Sequence, residues 1–373
     1  NTVALEYRKI RNKVTAQIRT EQRRHIEKQI DEDPSSGNVW RIVNNALNPN
    51  QGRIEPSISP SDLNSHFVNK ITLLQNKINQ NQVQDPLQRL AKKMKGRNLK
   101  FSFRSVTEKE VKKIISKLRS RSAPGPDGID TAILKIAIDV LASPLTHIIN
   151  KSLDTGVFPE KWKVARISPI YKMKGKQNDC NSYRPISCLS VPAKILETCA
   201  KVQIVSFFES NNLFSISQHG FRNKRSTMSA LLSMNNTWLN AIDKKKFAGV
   251  LSFDLSSAFD SIDSTILCDK LALYGFDHKS LTWVKSYLTN RSQFVQIGSI
   301  VSTTAVVITG SPQGSCISPI FFIILIADID EWTCYAIIDG FADDNNATVV
   351  DEELSDVVRK LQEDANNILS FMS

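Results

Sequence analysis

Asp254 closes the apolar run Val250-Leu251-Ser252-Phe253, and 89 residues later Asp343 and Asp344 stand together in Phe341-Ala342-Asp343-Asp344. A strand-end acid and an acid pair in a hairpin turn can meet at one edge of a sheet. Brought together, the three carboxylates repel one another unless cations are bound. Hard oxygen ligands of this kind suit Mg²⁺. Two such ions about 3.5–4 Å apart serve an in-line phosphoryl displacement, one activating the attacking hydroxyl and one steadying the leaving oxygen. Taken singly, a strand-end Asp or an Asp-Asp turn is ordinarily a solvated polar terminus, so the weight of the reading rests on the neighbours.

One neighbour is Phe259, five residues after Asp254 in Asp254-Leu255-Ser256-Ser257-Ala258-Phe259-Asp260. An aromatic there can lie under the sugar of a bound nucleotide and clash with a 2′-hydroxyl; alone, a core phenylalanine is the simpler reading. Another is Ser311-Pro312-Gln313-Gly314-Ser315, a loop ahead of the apolar run Ile320 to Ile326, which reads as a buried helix. Gly314 would let the backbone and Gln313 approach a base pair closely.

Charge and pattern divide the chain. Residues 1–125 hold 25 of the 48 Lys+Arg and 11 of the 37 Asp+Glu, so this third is +14 and the remainder −3 against +11 overall. A basic segment argues for a polyanionic partner, nucleic acid above all. Helical spacing of Val3, Tyr7, Ile10, Val14 and Ile18 predicts a helix over residues 1–31, ended by Asp33-Pro34-Ser35-Ser36-Gly37. Short helices are expected around Asn38 to Leu47 and from Ser61 to Ile78, with Asn48 to Pro60 as a connector and a mobile polar linker over 79–100.

From Phe101 onward Thr107-x-x-Glu110 predicts a capping box for a helix to about Leu118, and Ser122 to Gly128 a rigid turn before a helix through Val140. Val164 to Tyr171 and Gly249 to Phe253 read as strands, and Phe294 to Ile308 as a hairpin about Gly298-Ser299. Mixed helices and antiparallel strands indicate an α+β fold. The six cysteines form no CxxC pair and have no histidine cluster beside them, so reduced thiols in an intracellular protein are expected. No stretch is long and apolar enough to span a bilayer, and the first residues show no signal-peptide pattern, since Tyr7 to Lys13 is charged and no apolar run follows.

In order, the chain carries SAPGPDG (122–128), PIYK (169–172), YRPISCLSVPAKILE (183–197), QHGFR (218–222), FDLSSAFD (253–260), SPQGSCISP (311–319) and FADD (341–344). This series resembles the reverse transcriptases of non-LTR (LINE-type) retrotransposons, and group II intron enzymes more distantly, over roughly residues 101–350. The resemblance implies right-hand polymerase fingers (about 101–244) and palm (about 245–373), an antiparallel palm sheet backed by helices, and a basic helical extension and linker over 1–100. It implies two Mg²⁺ ions on Asp254 and Asp343, with Asp344 completing the acidic cluster, and Phe259 as the gate against ribonucleotides. Arg184 and Lys172 would grip the triphosphate, Gln313 and Gly314 would line the nucleotide site, and Gln218, Gly220, Phe221 and Arg222 would hold the template strand. RNA template, DNA primer and deoxynucleoside triphosphates are the implied partners, and nuclear and cytoplasmic sites the implied locations.

The chain departs from the family in places. Phe341 replaces the more usual Tyr of YADD, and Ser257 stands where a basic residue is common. After FADD only one amphipathic helix, Asp351 to Met372, follows, so a fragment without the next palm motif, the thumb or an endonuclease is expected. Two other readings remain: an inactive remnant that only binds RNA, and a viral RNA-dependent RNA polymerase. The latter would usually show GDD and lack an aromatic gate.

Overall fold

The computed structural model describes residues 2–32, 39, 56–79, 87–120, 122–255 and 258–372. The chain falls into two compact units, Asn1–Glu55 and Pro56–Ser373. The first is described by its helix Thr2–Glu32, as its apolar spacing predicts, with the exposed pairs Arg23–Glu27 and Arg24–Glu21 along it. The helix expected around Asn38 to Leu47 lies outside the described residues, apart from position 39. No described helix is long and apolar enough to cross a membrane.

The second unit is α+β and holds two sheets. A three-stranded antiparallel sheet runs in the order β3 (Phe247–Asp254), β8 (Asp344–Asp351), β7 (Ile337–Phe341). The other is mixed. In it β1 (Val164–Tyr171) pairs antiparallel with β2 (Tyr183–Cys188) and parallel with β4 (Arg291–Ile297). β5 (Ile300–Val301) and β6 (Ala305–Val307) complete it on β4, and β4–β5 is the hairpin expected about Gly298-Ser299.

Burial follows the strand period. In β3 Gly249, Leu251 and Phe253 are the less exposed set, while Val250, Ser252 and Asp254 are exposed. Helix Leu354–Met372 covers the first set: Gly249 leaves room for Val357 and Leu361, and Ile368 joins Ile338 and Ala347 in one cluster. A larger core packs Trp283, Tyr287 and Phe158 with the buried helix Ser318–Leu325. Inside it Lys270 is ion-paired with Asp328, both almost fully buried.

Local signals are met where they concern helix ends. Thr107 and Glu110 form the reciprocal capping box, and the Arg104 guanidinium with the Thr107 amide holds the Glu110 carboxyl down at about 2. The helix expected through Val140 instead ends at Ile136, and a second one, Ile138–Thr155, carries on beyond it. The expected linker carries a helix as well, Leu87–Met94, whose Leu90 and Met94 are buried in the large core. Two apolar side chains at i and i+4 suffice to dock a one-sided helix despite its lysines. Helix Pro60–Asn79 is likewise packed down, with Leu63 and Phe67 set among Ala165, Ile167, Tyr183 and Val295 of the mixed sheet.

Candidate active site

The ends of β3 and β8 bring the acids together. Asp254 and Asp344 are direct partners in the antiparallel register, which puts their Cβ atoms about 4.5–5.5 Å apart on one face. Asp343 sits in the two-residue turn between β7 and β8. The ladder continues past the acidic pair, where the Leu255 amide donates to the Asp343 carbonyl at 3.2 Å. Among the described residues, no hydrogen bond or ion pair engages the three carboxylates, and no three His, Cys, Asp or Glu side chains converge as a formed metal cage. The donor set still fits Mg²⁺. It is all oxygen, and like charges opposite one another are relieved by a divalent cation.

The turn has an unusual backbone. Ala342 lies at φ 61, in the left-handed region that glycine occupies freely and that costs an L-residue about 1–2 kcal/mol. Buried Gln218 is hydrogen-bonded to it: Oε1 accepts from the Ala342 amide at 2.9 Å and from the Gly220 amide at 2.7 Å. A Cβ at Gly220 would collide with the Ala342 backbone nitrogen. Arg222 is also occupied inside the chain. Its guanidinium pairs with Glu209 at 2.7 Å and donates to the Ser215 carbonyl. Of the four residues that the resemblance gives to template contact, Gln218 and Arg222 are hydrogen-bonded within the chain and Gly220 is packed against Ala342. Phe221 alone is exposed.

A cleft of about 420 Å³ runs from Asp343 to the mixed sheet. Lys172, Arg184, Phe259, Gln313 and Asp343 all line it, so residues far apart in sequence share one space. Lys172 donates to the Asn181 carbonyl at 2.7 Å. Burial lowers its ammonium pKa, and neighbouring Lys70 and Arg184 lower it further. Arg184 projects from β2 and is exposed. Phe259 is half-buried, its ring 6.1 Å from that of Phe322, which fixes it against the core.

Gln313 is braced on both sides. Its carbonyl accepts from the Ser187 amide at 2.6 Å and its side chain donates to Asp260 at 3.1 Å. Burial raises the Asp260 pKa, against the hydrogen bond from Gln313 and the charge of Lys70. Gly314, at φ 129, lies against the chain itself: a Cβ there would stand 2.5 Å from the Ser187 carbonyl oxygen. Beneath the loop, fully buried Glu197 accepts from Ser315 Oγ at 2.8 Å, the Cys316 amide at 3.0 Å and Tyr287 Oη at 3.2 Å. Ser257 lies outside the described residues.

Several cleft residues, two charged or titratable ones on one helix among them, escaped the sequence reading. Lys70 and His66 come from helix Pro60–Asn79 and line the same wall as Lys172 and Arg184. Burial, then the charges of Lys70 and Lys172, push the His66 pKa down. None of Lys70, Lys172 and Arg184 has an ion pair among the described residues, so this wall is positively charged. The only sequence signal was the helical spacing of Leu63, Phe67 and Ile71, which names a buried face but not its neighbours.

The family model for reverse transcriptase (RNA-dependent DNA polymerase) matches residues 172–372. The chain is similar to the RNA-directed DNA polymerase from mobile element jockey of Drosophila melanogaster, 31% identical over 61% of this chain and 25% of that protein. In the same organism it is similar to the probable RNA-directed DNA polymerase from transposon X-element, 31% identical over 60% of this chain and 24% of that protein. It is also similar to that from transposon BS, 28% identical over 71% of this chain and 30% of that protein. The chain thus spans between 24% and 30% of the length of these relatives.

Proposed function

The chain belongs to the reverse transcriptase (RNA-dependent DNA polymerase) family, and from that premise we propose that it is the RNA-directed DNA polymerase domain of a non-LTR retrotransposon. It would add deoxynucleotides to a primer 3′-hydroxyl on an RNA template. The observation that carries this reading is one cleft lined by an acid, Asp343, and by Lys70, Lys172 and Arg184, cations without an ion pair among the described residues.

In the proposed mechanism the three cations hold the triphosphate by charge-assisted contacts, which strengthen as negative charge develops on the leaving pyrophosphate. Phe259, held by Phe322, lies under the sugar and excludes a 2′-hydroxyl. Gln313, braced by Asp260 and Ser187, supports the nascent base pair. Asp254 and Asp343, with Asp344 beside them, would hold Mg²⁺, which supplies activation of the primer hydroxyl and stabilisation of the leaving oxygen. The protein otherwise works by positioning.

In this reading the antiparallel sheet β3-β8-β7 is the palm, within about 245–373, and residues 101–244 with the mixed sheet are the fingers. Helix Pro60–Asn79, from the basic extension over 1–100, serves the fingers because it carries Lys70 and His66 into the cleft. The test is primer extension by the 373-residue chain, with an RNA template, a DNA primer and Mg²⁺, beside an Asp343→Ala control. Synthesis that the control lacks and that prefers deoxynucleotides supports the polymerase. RNA binding without synthesis returns the chain to a binding remnant, and preferred ribonucleotide incorporation overturns the choice of substrate.

A further inference from the structure

The turn that presents Asp343 is two residues long, Ala342-Asp343, between Phe341 at the end of β7 and Asp344 at the start of β8. A positive φ at the first of two turn residues is the hairpin geometry that glycine ordinarily takes. Here the position holds alanine, so something outside the hairpin must hold the backbone there. The segment Ser217–Gly220 does so. The His219 amide donates to the Gly340 carbonyl at 2.8 Å and the Gly340 amide to the Ser217 carbonyl at 3.0 Å, which lays this segment along the end of β7. Gln218 then reaches the turn itself. Its Oε1 accepts from the Ala342 amide, and its Nε2 lies 3.4 Å from the Ala342 carbonyl oxygen. On the other side the Asp343 carbonyl accepts from Asn345 Nδ2 at 3.0 Å and from the Leu255 amide. The peptide before the acid is fastened by Gln218, and the peptide after it by Leu255 beyond β3 and by Asn345 within the hairpin.

Resting on the polymerase reading above, we propose that Gln218 is a positioning residue: it touches no reactant, and it aims Asp343 by holding Ala342 in the left-handed conformation. Arg222 supports it from behind, fixed by Glu209 and the Ser215 carbonyl. This differs in kind from a hand on the template strand. A template contact would act on RNA affinity. A positioning residue acts on the rate of the bound complex and on the affinity for divalent ions, since groups that orient metal ligands are typically worth about 10–100-fold in metal affinity.

The experiment compares the full chain with Gln218→Ala and Gln218→Glu. Glutamate keeps an oxygen that can accept from Ala342 and Gly220; alanine does not. With Gln218→Ala we expect single-turnover extension to slow by about 10²-fold, the scale of a misplaced catalytic group, Mn²⁺ binding without substrates to weaken about tenfold, and the template–primer Kd to stay unchanged. Gln218→Glu keeps the acceptor for the Ala342 and Gly220 amides but turns an oxygen toward the Ala342 carbonyl in place of Nε2, so it should recover only part of the rate. Amide exchange at Ala342 should quicken about tenfold or more in Gln218→Ala, because its acceptor is gone. In an Ala342→Gly background, where the left-handed turn is free of strain, the loss from Gln218→Ala should shrink. Weakened template binding with an unchanged rate at saturation would overturn the proposal, as would unchanged exchange at Ala342. If the unmodified chain makes no product, the polymerase reading fails, while Mn²⁺ affinity and Ala342 exchange still decide the role of Gln218.

Discussion

Asp254 stands directly opposite Asp344 in the register of β3 and β8, with neither carboxylate paired to a cation among the described residues. Like charges facing one another across antiparallel strands are destabilising by about 0.2–1 kcal/mol. Asp344→Asn should therefore raise thermal stability slightly in the presence of a chelator. Mg²⁺ should stabilise the unmodified chain more than the variant. Thermal unfolding of both proteins with and without Mg²⁺ checks this, and an equal response of the two would remove Asp344 from the cation site.

Lys70 should matter to nucleotide binding although it lies outside the polymerase motifs. Losing one charge-assisted phosphate contact is worth about tenfold in affinity. Lys70→Ala should raise the KM for deoxynucleotides by about that factor and weaken pyrophosphate inhibition with it. The double variant with Lys172→Ala should fall short of the product of the two single effects, since both act on one anion. Steady-state kinetics of the three variants measures this coupling directly.

His66 gives the cleft a pH signature. Its folded pKa lies below the ordinary 6.5, through burial and then through Lys70 and Lys172. Between the folded value and 6.5 the unfolded chain binds a proton that the folded chain does not, so this residue withdraws stability as pH falls through 6.5. An anion in the cleft reverses the balance, since it favours the imidazolium. Pyrophosphate should raise the His66 midpoint and bind more tightly as pH falls, and Lys70→Ala should also raise the midpoint. NMR titration of the His66 ring, with and without pyrophosphate, reads all three effects.

Glu197 anchors the loop that carries Gln313. Glu197→Gln replaces one accepting oxygen with an amide donor facing groups that themselves donate, and should cost about 1–3 kcal/mol of folding stability. Urea unfolding would show it. A neutral result would mean that the loop holds its shape without the buried acid.

The sequence discloses what neighbours decide. Thr107 and Glu110 are three residues apart and cap their own helix, so the box could be read directly. Gly298-Ser299 joins strands that are adjacent in the chain. The pairing of the strand ends that carry Asp254 and Asp344 could be inferred because strand ends and turns carry local marks. Partners distant in sequence leave no such mark. Alternation in β1 shows two faces, but nothing in it names β4 as the parallel neighbour. Gln218 and Arg222 stand in the QHGFR motif, where nothing local marks the buried backbone groups they satisfy. Gly314 marks a close approach in the sequence, and in the fold the Ser187 carbonyl of the same chain lies against it, a contact no local pattern names.

That parallel pairing has a consequence for how the protein comes into being. On the ribosome, β1 and β2 emerge as a hairpin at residues 164–188, and β4, which covers the other edge of β1, follows only at residues 291–297. Helix Pro60–Asn79 waits for the same strand, because Val295 completes the cluster under Leu63 and Phe67. Long-range pairing of this kind is slow to form, and in the interval the nascent chain carries an open strand edge of the type that recruits other chains. Production of this protein should therefore be limited by translation speed and holdase supply, with losses arising before residue 291 has left the exit tunnel.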